Sequence, residues 1–211
     1  MSDERNALRA SYDSVAEDYV AHVAPVQRKP FDCAWLDRFI AHVGHRGDVW
    51  DLGCGPGDVT RCLADRGVHV VGVDQSEEML AQARKLNPDL AFRADDILAL
   101  SAPNESLAGV TAFYSLIHFA PTLMSTAFAE IHRALKRDGA LLIALHAGND
   151  AIHLDEWWGQ SVSVDTHFHS AENIEKWLQD AGFSIDEIKT RPPYAEFEYP
   201  SERIYALARK A

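Results

Sequence analysis

The apolar positions of this chain follow two alternating patterns. From residue 48 onward, short apolar runs alternate with stretches whose apolar residues recur at helical spacing, and turn residues separate the two. Such alternation is typical of βαβ units, in which helices connect parallel strands. The pattern therefore predicts an α/β fold.

The predicted elements follow one another as strand, helix, strand. We predict strands at 48–52, 68–74, 90–94, 110–116 and 140–146, and connecting helices at 58–65, 76–87 and 121–136. Two amphipathic helices, 7–23 and 32–43, precede them, and a helix at 171–181 with strands at 183–190 and 203–209 follows. Because only a loop joins the last two strands, they must pair antiparallel.

Composition narrows the class of protein. The 211 residues, 47% of them hydrophobic, fit one globular domain. No apolar run approaches the roughly 20 residues that cross a bilayer, and the acidic N-terminus lacks the apolar core of a signal peptide. Cys33, Cys54 and Cys62 form no CxxC pair, which favours a reducing compartment. We expect a cytoplasmic protein, a monomer or homodimer with no membrane partner.

The charge of the chain bears on its partners. The formal net charge is −12, and no cluster of Lys and Arg offsets it locally. A polyanion would be repelled, so we expect no nucleic-acid partner and a small-molecule substrate instead.

A glycine-rich loop follows the first predicted strand and precedes a helix. Its sequence is Asp51-Leu52-Gly53-Cys54-Gly55-Pro56-Gly57, and this position in an α/β sheet is where ligands bind. Glycine lets the backbone approach a ligand closely. The spacing is GxGxG rather than the GxGxxG of dinucleotide sites. Asp51 and Asp58 flank the loop and suit a ligand with an ammonium and a sulfonium group, which indicates S-adenosyl-L-methionine (SAM).

Carboxylates follow the next two predicted strands. Asp74 ends the second strand, where it can accept hydrogen bonds from both hydroxyls of a ribose. Asp95 or Asp96, after the third strand, can accept from an adenine amino group, and Ile97 can pack on the ring. We favour Asp95 for the adenine contact.

These motifs, together with the strand that ends in Tyr114-Ser115-Leu116-Ile117-His118, resemble those of class I SAM-dependent methyltransferases over roughly residues 8–210. The resemblance implies a Rossmann-like, doubly wound seven-stranded sheet of order 3-2-1-4-5-7-6, with strand 7 antiparallel and SAM at the switch point. It also implies that the first helix, with Tyr12 and Tyr19, covers the cofactor, as in the small-molecule branch. The implied cofactor-binding residues are Tyr19, Asp51, Gly53, Gly55, Gly57, Asp74, Gln75, Met79, Asp95, Asp96, Ile97, Tyr114 and Ser115.

The resemblance also divides the chain. We expect residues 1–211 to form a single SAM-dependent methyltransferase domain, in which 1–44 are an N-terminal helical cap and 149–169 a substrate-side insertion.

Candidate acceptor-side residues lie after the fourth strand and in this insertion. His118 can act as a general base, although a structural histidine near the cofactor is an equal alternative. Trp157 and Trp158 suit a lid over a flat or cationic acceptor, or an ordinary packing corner. His167 and His169 could bind a metal, but they have no clear carboxylate companion, so we expect none. The predicted substrate-binding residues are Tyr12, His118, His146, Trp157, Trp158 and His169.

The favoured hypothesis is a methyltransferase that acts on an oxygen or nitrogen atom of a small-molecule metabolite. A protein or RNA methyltransferase and a SAM-binding regulatory protein without transferase activity are the alternatives, and a nicotinamide oxidoreductase fits the glycine spacing less well.

Overall fold

The computed structural model describes residues 3–44 and 46–211, which contain six α-helices and nine β-strands. The helices are α1 (Asp3–His22), α2 (Pro30–Val43), α3 (Asp58–Ala64), α4 (Glu77–Leu86), α5 (Pro121–Ala134) and α6 (Ala171–Asp180). The strands are β1 (Val49–Leu52), β2 (Val70–Asp74), β3 (Ala91–Ala94), β4 (Leu107–Phe113), β5 (Leu135–His146), β6 (Ala151–Trp157), β7 (Gln160–His167), β8 (Phe183–Arg191) and β9 (Arg203–Lys210). Within these two ranges, no helix is both long and apolar enough to cross a membrane.

Seven strands form one sheet in the order β3-β2-β1-β4-β5-β9-β8. The first five pair in parallel, whereas β9 is antiparallel to both β5 and β8. The predicted order 3-2-1-4-5-7-6 is confirmed, because β8 and β9 are the sixth and seventh strands of this sheet. The order reverses between β1 and β4, and a crevice opens at the carboxyl ends of strands at such a reversal.

Helices cover both faces of the sheet, as the doubly wound prediction requires. Phe128 of α5 and Leu178 of α6 belong to the core on one face. Phe39 of α2 and Leu63 of α3 belong to the core on the other. These buried faces fix the strand ends, and with them the loops that form the crevice.

A β-hairpin occupies the segment that we expected to be a substrate-side insertion. Strands β6 and β7 pair antiparallel as a separate two-stranded sheet. Along β7 the residues alternate between buried and exposed, and its Val162 and Val164 pack with Val15 of α1. The backbone N–H of Ser163 donates to Oγ of Ser11, at 2.8 Å. The hairpin therefore binds α1 rather than the large sheet.

The boundary between α5 and β5 and the end of β4 both differ from the prediction. The helix predicted to reach 136 stops at Ala134, since Leu135 pairs with Leu107 of β4 and begins β5. Strand β4 stops at Phe113 rather than 116, because Tyr114 takes a left-handed φ of 55°. The turn that follows brings His118 back over the carboxyl ends of the strands.

Candidate functional site

The loop between β1 and α3 contains three glycines in left-handed backbone conformations. The φ values are 67° at Gly53, 51° at Gly55 and 85° at Gly57. A β-carbon at Gly53 would lie 2.2 Å from Cβ of Ser115, and one at Gly57 would lie 2.8 Å from the Phe92 ring. At Gly55 such a carbon would have no heavy atom within 4 Å. Two of the glycines thus make room for neighbouring side chains, and Gly55 faces open space. That all three glycines contact the ligand stays a prediction.

Asp74, at the end of β2, links the glycine loop to the start of α4. Its Oδ2 accepts from the Gly55 N–H and its Oδ1 from the Ser76 N–H, each at 2.9 Å. Ser76 caps α4 as predicted, since its hydroxyl accepts from Met79 N at 3.1 Å. Burial raises the pKa of Asp74, and the backbone N–H groups offset part of that shift.

Asp51 lies beneath the loop and is enclosed by threonines. Its two oxygens accept from Thr60 Oγ1 at 2.7 Å and Thr111 Oγ1 at 2.8 Å. Burial raises the pKa of Asp51 to about 7. Asp58, at the start of α3, accepts instead from the Val26 N–H at 2.6 Å, and burial raises its pKa as well. Asp58 thus ties the segment between α1 and α2 to the loop.

A cavity of about 790 Å³, including its open mouth, lies between α1 and the carboxyl ends of the central strands. This volume is within the usual range of small-molecule sites. Ten of the thirteen predicted cofactor-binding residues line it, namely Tyr19, Gly53, Gly55, Asp74, Gln75, Met79, Asp95, Ile97, Tyr114 and Ser115.

A second cavity, of about 1040 Å³ with its open mouth, adjoins the first on the other side of the glycine loop. The two share Tyr19, Gly53, Gly55, Phe113 and Tyr114 as lining residues. The second is also lined by the segment between α1 and α2, by Asp51 and by Asp58. The loop is therefore accessible from two sides.

The two aspartates after β3 have different partners. Asp95 lines the first cavity and accepts from the Ser101 N–H at 3.0 Å. Asp96 accepts from Arg5 of α1 at 2.6 Å and from Gln75 Nε2 at 3.0 Å. Asp96 thus fastens the start of α1 across the cavity, and Asp95 is the one that faces the interior.

His118 lies between α1 and the hairpin with both ring nitrogens engaged. Its Nδ1 is 2.8 Å from the Asp165 carbonyl oxygen, and its Nε2 is 2.7 Å from the Tyr12 hydroxyl. Because a carbonyl only accepts, Nδ1 carries the proton, and the Tyr12 hydroxyl donates to Nε2. Burial lowers the pKa of His118 to about 4. The imidazole is neutral near pH 7, and both side chains line the first cavity.

Comparison with known proteins agrees with this geometry. A family model described as a methyltransferase domain matches residues 49–139. A phosphatidylethanolamine N-methyltransferase from Cereibacter sphaeroides is 30% identical over 162 residues, which cover 74% of this chain and 74% of that protein. The chain belongs to the class I SAM-dependent methyltransferases.

Further similarities extend over more of this methyltransferase. A malonyl-[acyl-carrier protein] O-methyltransferase from Pseudescherichia vulneris is 28% identical over 184 residues, 82% of this chain and 69% of that protein. The solved structure of a DhpI–SAM–HEP complex superposes with a TM-score of 0.77 at 20% identity, and 99% of each chain is covered. The architecture, including α1 and the hairpin, therefore lies within the known range of this fold.

The residues of the first cavity fit SAM, the cofactor of this family. The empty space at Gly55 leaves room for a ligand against the backbone. The buried hydroxyl oxygen of Ser115 has no hydrogen-bond partner among the described residues, so a polar ligand atom can satisfy it. Carboxylates at Asp74 and Asp95 supply acceptors along the same wall.

The tryptophans of the hairpin turn pack on α1. Trp157 and Trp158 stack with ring centroids 4.7 Å apart. Trp157 lies edge-on to Tyr12 at 5.7 Å and to Tyr19 at 5.9 Å, and Trp158 stacks on His22 at 5.1 Å. In this methyltransferase the pair thus supports the helix that covers the cavity, and the cavity wall itself is formed by the two tyrosines.

The two histidines predicted to face the acceptor lie further back. His146 bonds through Nδ1 to Ser201 Oγ at 2.8 Å, and its ring is 5.5 Å from that of Tyr114. His169 is 1% exposed and lies edge-on to Trp177, and no described residue bonds to its buried Nε2. The prediction for His169 is wrong: a ring enclosed in this way cannot reach an acceptor.

Sequence reasoning missed three basic side chains that line the cavities, from α1 and from the segment between α1 and α2: Arg5, Arg9 and Lys29. The amphipathic pattern of α1 assigns both arginines to its polar face, so it predicts solvent rather than a ligand. Lys29 stands directly before Pro30, which begins α2. That position at a helix start was the only sequence feature that distinguished it.

Proposed function

We propose that this methyltransferase transfers a methyl group from SAM to an oxygen or nitrogen atom of a small-molecule metabolite. The observation that carries the proposal is the neutral His118, whose Nε2 lone pair faces Tyr12 at the edge of the cofactor cavity. The names of the two relatives described above include one N-methyltransferase and one O-methyltransferase, which supports both kinds of acceptor. The net charge of −12 argues against RNA.

In this proposal the first cavity holds the cofactor. Asp74 would accept hydrogen bonds from the ribose hydroxyls, and Asp95 and Ile97 would hold the adenine. Gln75, Met79 and Ser115 complete the wall, and Tyr19 covers it from α1. Asp51, Gly57 and Asp96 act by holding the loop and α1 in place, as their hydrogen bonds and packing favour.

SAM supplies, when bound, a methyl group on a positively charged sulfur that is already a good leaving group. The protein therefore has mainly to orient the acceptor, and orientation can contribute on the order of 7–11 kcal/mol. Tyr12, Tyr19 and Tyr114 form the wall on which an acceptor would lie. α1 covers this wall, and the hairpin packs against α1.

A proton must leave when the acceptor is a hydroxyl. The acceptor hydroxyl gives its proton to the Tyr12 oxygen, and Tyr12 passes its own proton to Nε2 of His118. Burial, the main cause, raises the pKa of Tyr12 well above 10, so Tyr12 stays protonated between turnovers. The Asp165 carbonyl holds the resulting imidazolium through Nδ1–H. A neutral amine needs no base before it attacks.

We further propose that residues 1–211 act as one domain in which 1–44 form a cap and 149–169 a substrate-side insertion. The contacts of the hairpin with α1 support that division. The three unpaired cysteines favour action in the cytoplasm.

Radiolabelled SAM incubated with the protein and a cell lysate tests the proposal. We expect label in the small-molecule fraction, and Asp74→Ala or Gly55→Arg should abolish both this labelling and the binding of S-adenosylhomocysteine in calorimetry. Label in protein or RNA would contradict the small-molecule acceptor, and absence of any transferred label would favour a regulatory SAM-binding protein.

A further inference from the structure

A chain of hydroxyl groups leads from the first cavity into the core between the sheet and α2. Tyr114 lines that cavity, and its hydroxyl lies 3.1 Å from the hydroxyl of Tyr205 in β9. Tyr205 is fully buried, and its own hydroxyl donates to Oδ1 of Asp32 in α2 at 2.6 Å. Within the ranges 3–44 and 46–211, no other residue bonds to the Tyr114 hydroxyl. Tyr205 is therefore its one hydrogen-bond partner among these residues.

The donors and acceptors along this chain can be assigned. A carboxylate only accepts, so the Tyr205 proton points to Asp32. A guanidinium only donates, and Nε and Nη2 of Arg191 approach the Tyr205 oxygen at 3.1 and 2.8 Å. Because the Tyr205 oxygen has no second proton to give, Tyr114 must be the donor in the pair of tyrosines. Burial raises the pKa of both tyrosines, so both hydroxyls keep their protons near pH 7.

Ion pairs anchor the inner end of the chain. Arg191 donates to Asp32 at 2.9 Å and to the two oxygens of Glu198 at 2.7 and 2.9 Å. Arg191 and Asp32 are both buried. Buried charged groups that bond to one another in this way have few alternative arrangements. The network therefore holds the Tyr205 oxygen in one place.

The backbone of Tyr114 depends on such a hold. Its φ of 55° lies in the left-handed region, which a bulky residue occupies only where surrounding contacts enforce it. Ser115 and His118 follow in the same turn, and both line the first cavity. A change in the orientation of Tyr114 would therefore alter the wall of the cavity at its own ring and at these two neighbours.

We propose that Tyr205 is a positioning residue: it accepts the Tyr114 hydroxyl proton and thereby holds the Tyr114 ring in the orientation that methyl transfer requires. This inference rests on the proposed function, in which Tyr114 forms part of the wall beside the acceptor. Tyr205 itself lines neither cavity. Its hydroxyl still affects the rate, because a displacement of about 1 Å at the reacting groups can cost on the order of 100-fold.

The variants Tyr205→Phe, Tyr114→Phe and the double variant test the inference. Tyr205→Phe removes the hydroxyl and keeps the ring that stacks on Trp35, with centroids 5.6 Å apart. Tyr194→Phe is the matched control. The Tyr194 ring also packs against Arg191, but its hydroxyl bonds to the backbone of α2 and the residue lines neither cavity. Thermal unfolding verifies that each variant folds.

Two readouts separate positioning from a general loss of stability. The first is the rate at which label passes from saturating radiolabelled SAM to the small-molecule fraction of a cell lysate, with calorimetry of S-adenosylhomocysteine as the measure of cofactor affinity. The second is carbon-13 NMR of protein labelled at Cζ, the hydroxyl-bearing ring carbon, of its six tyrosines. The signal that disappears in Tyr114→Phe is the Tyr114 signal.

Tyr205→Phe and Tyr114→Phe should each slow methyl transfer about 10-fold, and the double variant should be no slower than Tyr114→Phe alone. Affinity for S-adenosylhomocysteine should change little. Tyr205→Phe should also shift the Tyr114 carbon signal, because the Tyr114 hydroxyl loses its acceptor. Tyr194→Phe should leave both the rate and this signal unchanged.

The inference is overturned if Tyr205→Phe transfers label at the wild-type rate, if the double variant is slower than Tyr114→Phe, or if the Tyr114 signal does not move in Tyr205→Phe. A wild-type protein that transfers no label would instead contradict the proposed function. The Tyr114 carbon signal would then decide by itself whether Tyr205 orients Tyr114.

Discussion

The Tyr12 hydroxyl of α1 donates to Nε2 of His118 across 2.7 Å, although 106 positions separate the two residues in sequence. The pair joins the helix that covers the cavity to the turn after β4. It therefore connects α1 to the one histidine that lines the first cavity within the described residues.

Tyr12→Phe should lower kcat for a hydroxyl acceptor by about 10- to 100-fold, because the proton can no longer pass to His118. Affinity for S-adenosylhomocysteine should change little, since the ring that packs against Trp157 is retained. Steady-state kinetics and calorimetry provide the two readouts. Tyr199→Phe, at an exposed tyrosine, is the control. An unchanged kcat would remove Tyr12 from the proton path.

Buried histidines should make the fold sensitive to acid. Burial lowers the pKa of His118 and His169 to about 4, and burial together with Arg203 lowers that of His146 to about 3. The unfolded chain binds these protons near pH 6.5 and the folded chain does not, so stability is full above pH 6.5 and falls as pH drops toward 4.

Urea unfolding at pH 7.5 and pH 5 measures this effect. Each buried histidine should cost about 1 to 2 kcal/mol of unfolding free energy at pH 5. His169→Leu should reduce the loss, whereas His153→Gln should not, because His153 is exposed and Asp165 raises its pKa. Equal losses in wild type and His169→Leu would contradict the assignment.

Substitution of Gly53 should lower the stability of the protein, whereas substitution of Gly55 should weaken ligand binding. Gly53→Ala forces Cβ to 2.2 Å from Ser115 and should lower the melting temperature by several degrees. Gly55→Ala meets no neighbour within 4 Å and should instead weaken S-adenosylhomocysteine. Gly67→Ala is matched to Gly55→Ala, because it also has positive φ and open space but lies away from the cavities. If Gly67→Ala weakened the ligand equally, backbone strain alone would explain the effect.

Loss of the hairpin tryptophan should loosen α1. Trp157→Ala removes edge-on contacts with Tyr12 and Tyr19, each worth about 1 kcal/mol, so amide hydrogen exchange over α1 should accelerate. Trp177→Ala, in α6, is the control. It should destabilise the molecule without a specific acceleration of exchange over α1. Equal exchange in the wild type and Trp157→Ala would show that other contacts hold the helix.

The sequence determined the central sheet and the location of the cofactor loop. Strand and helix periodicity are local properties, and the glycine motif and the cap at Ser76 are each contained in a few consecutive residues. The element order from β1 to β5 and the cap at Ser76 followed from these local rules. Class I membership followed from the spacing of the same motifs.

Only the tertiary structure decided which side chains face the ligand and which support the fold. Gly57 packs on Phe92, and β7 packs on α1, through contacts between segments distant in sequence. The alternation of Val162 and Val164 was present in the sequence, but the partner that buries them lies some 150 residues earlier. The place of Lys29 at the second cavity was also decided by the fold, because only the tertiary structure brings the segment between α1 and α2 against the glycine loop.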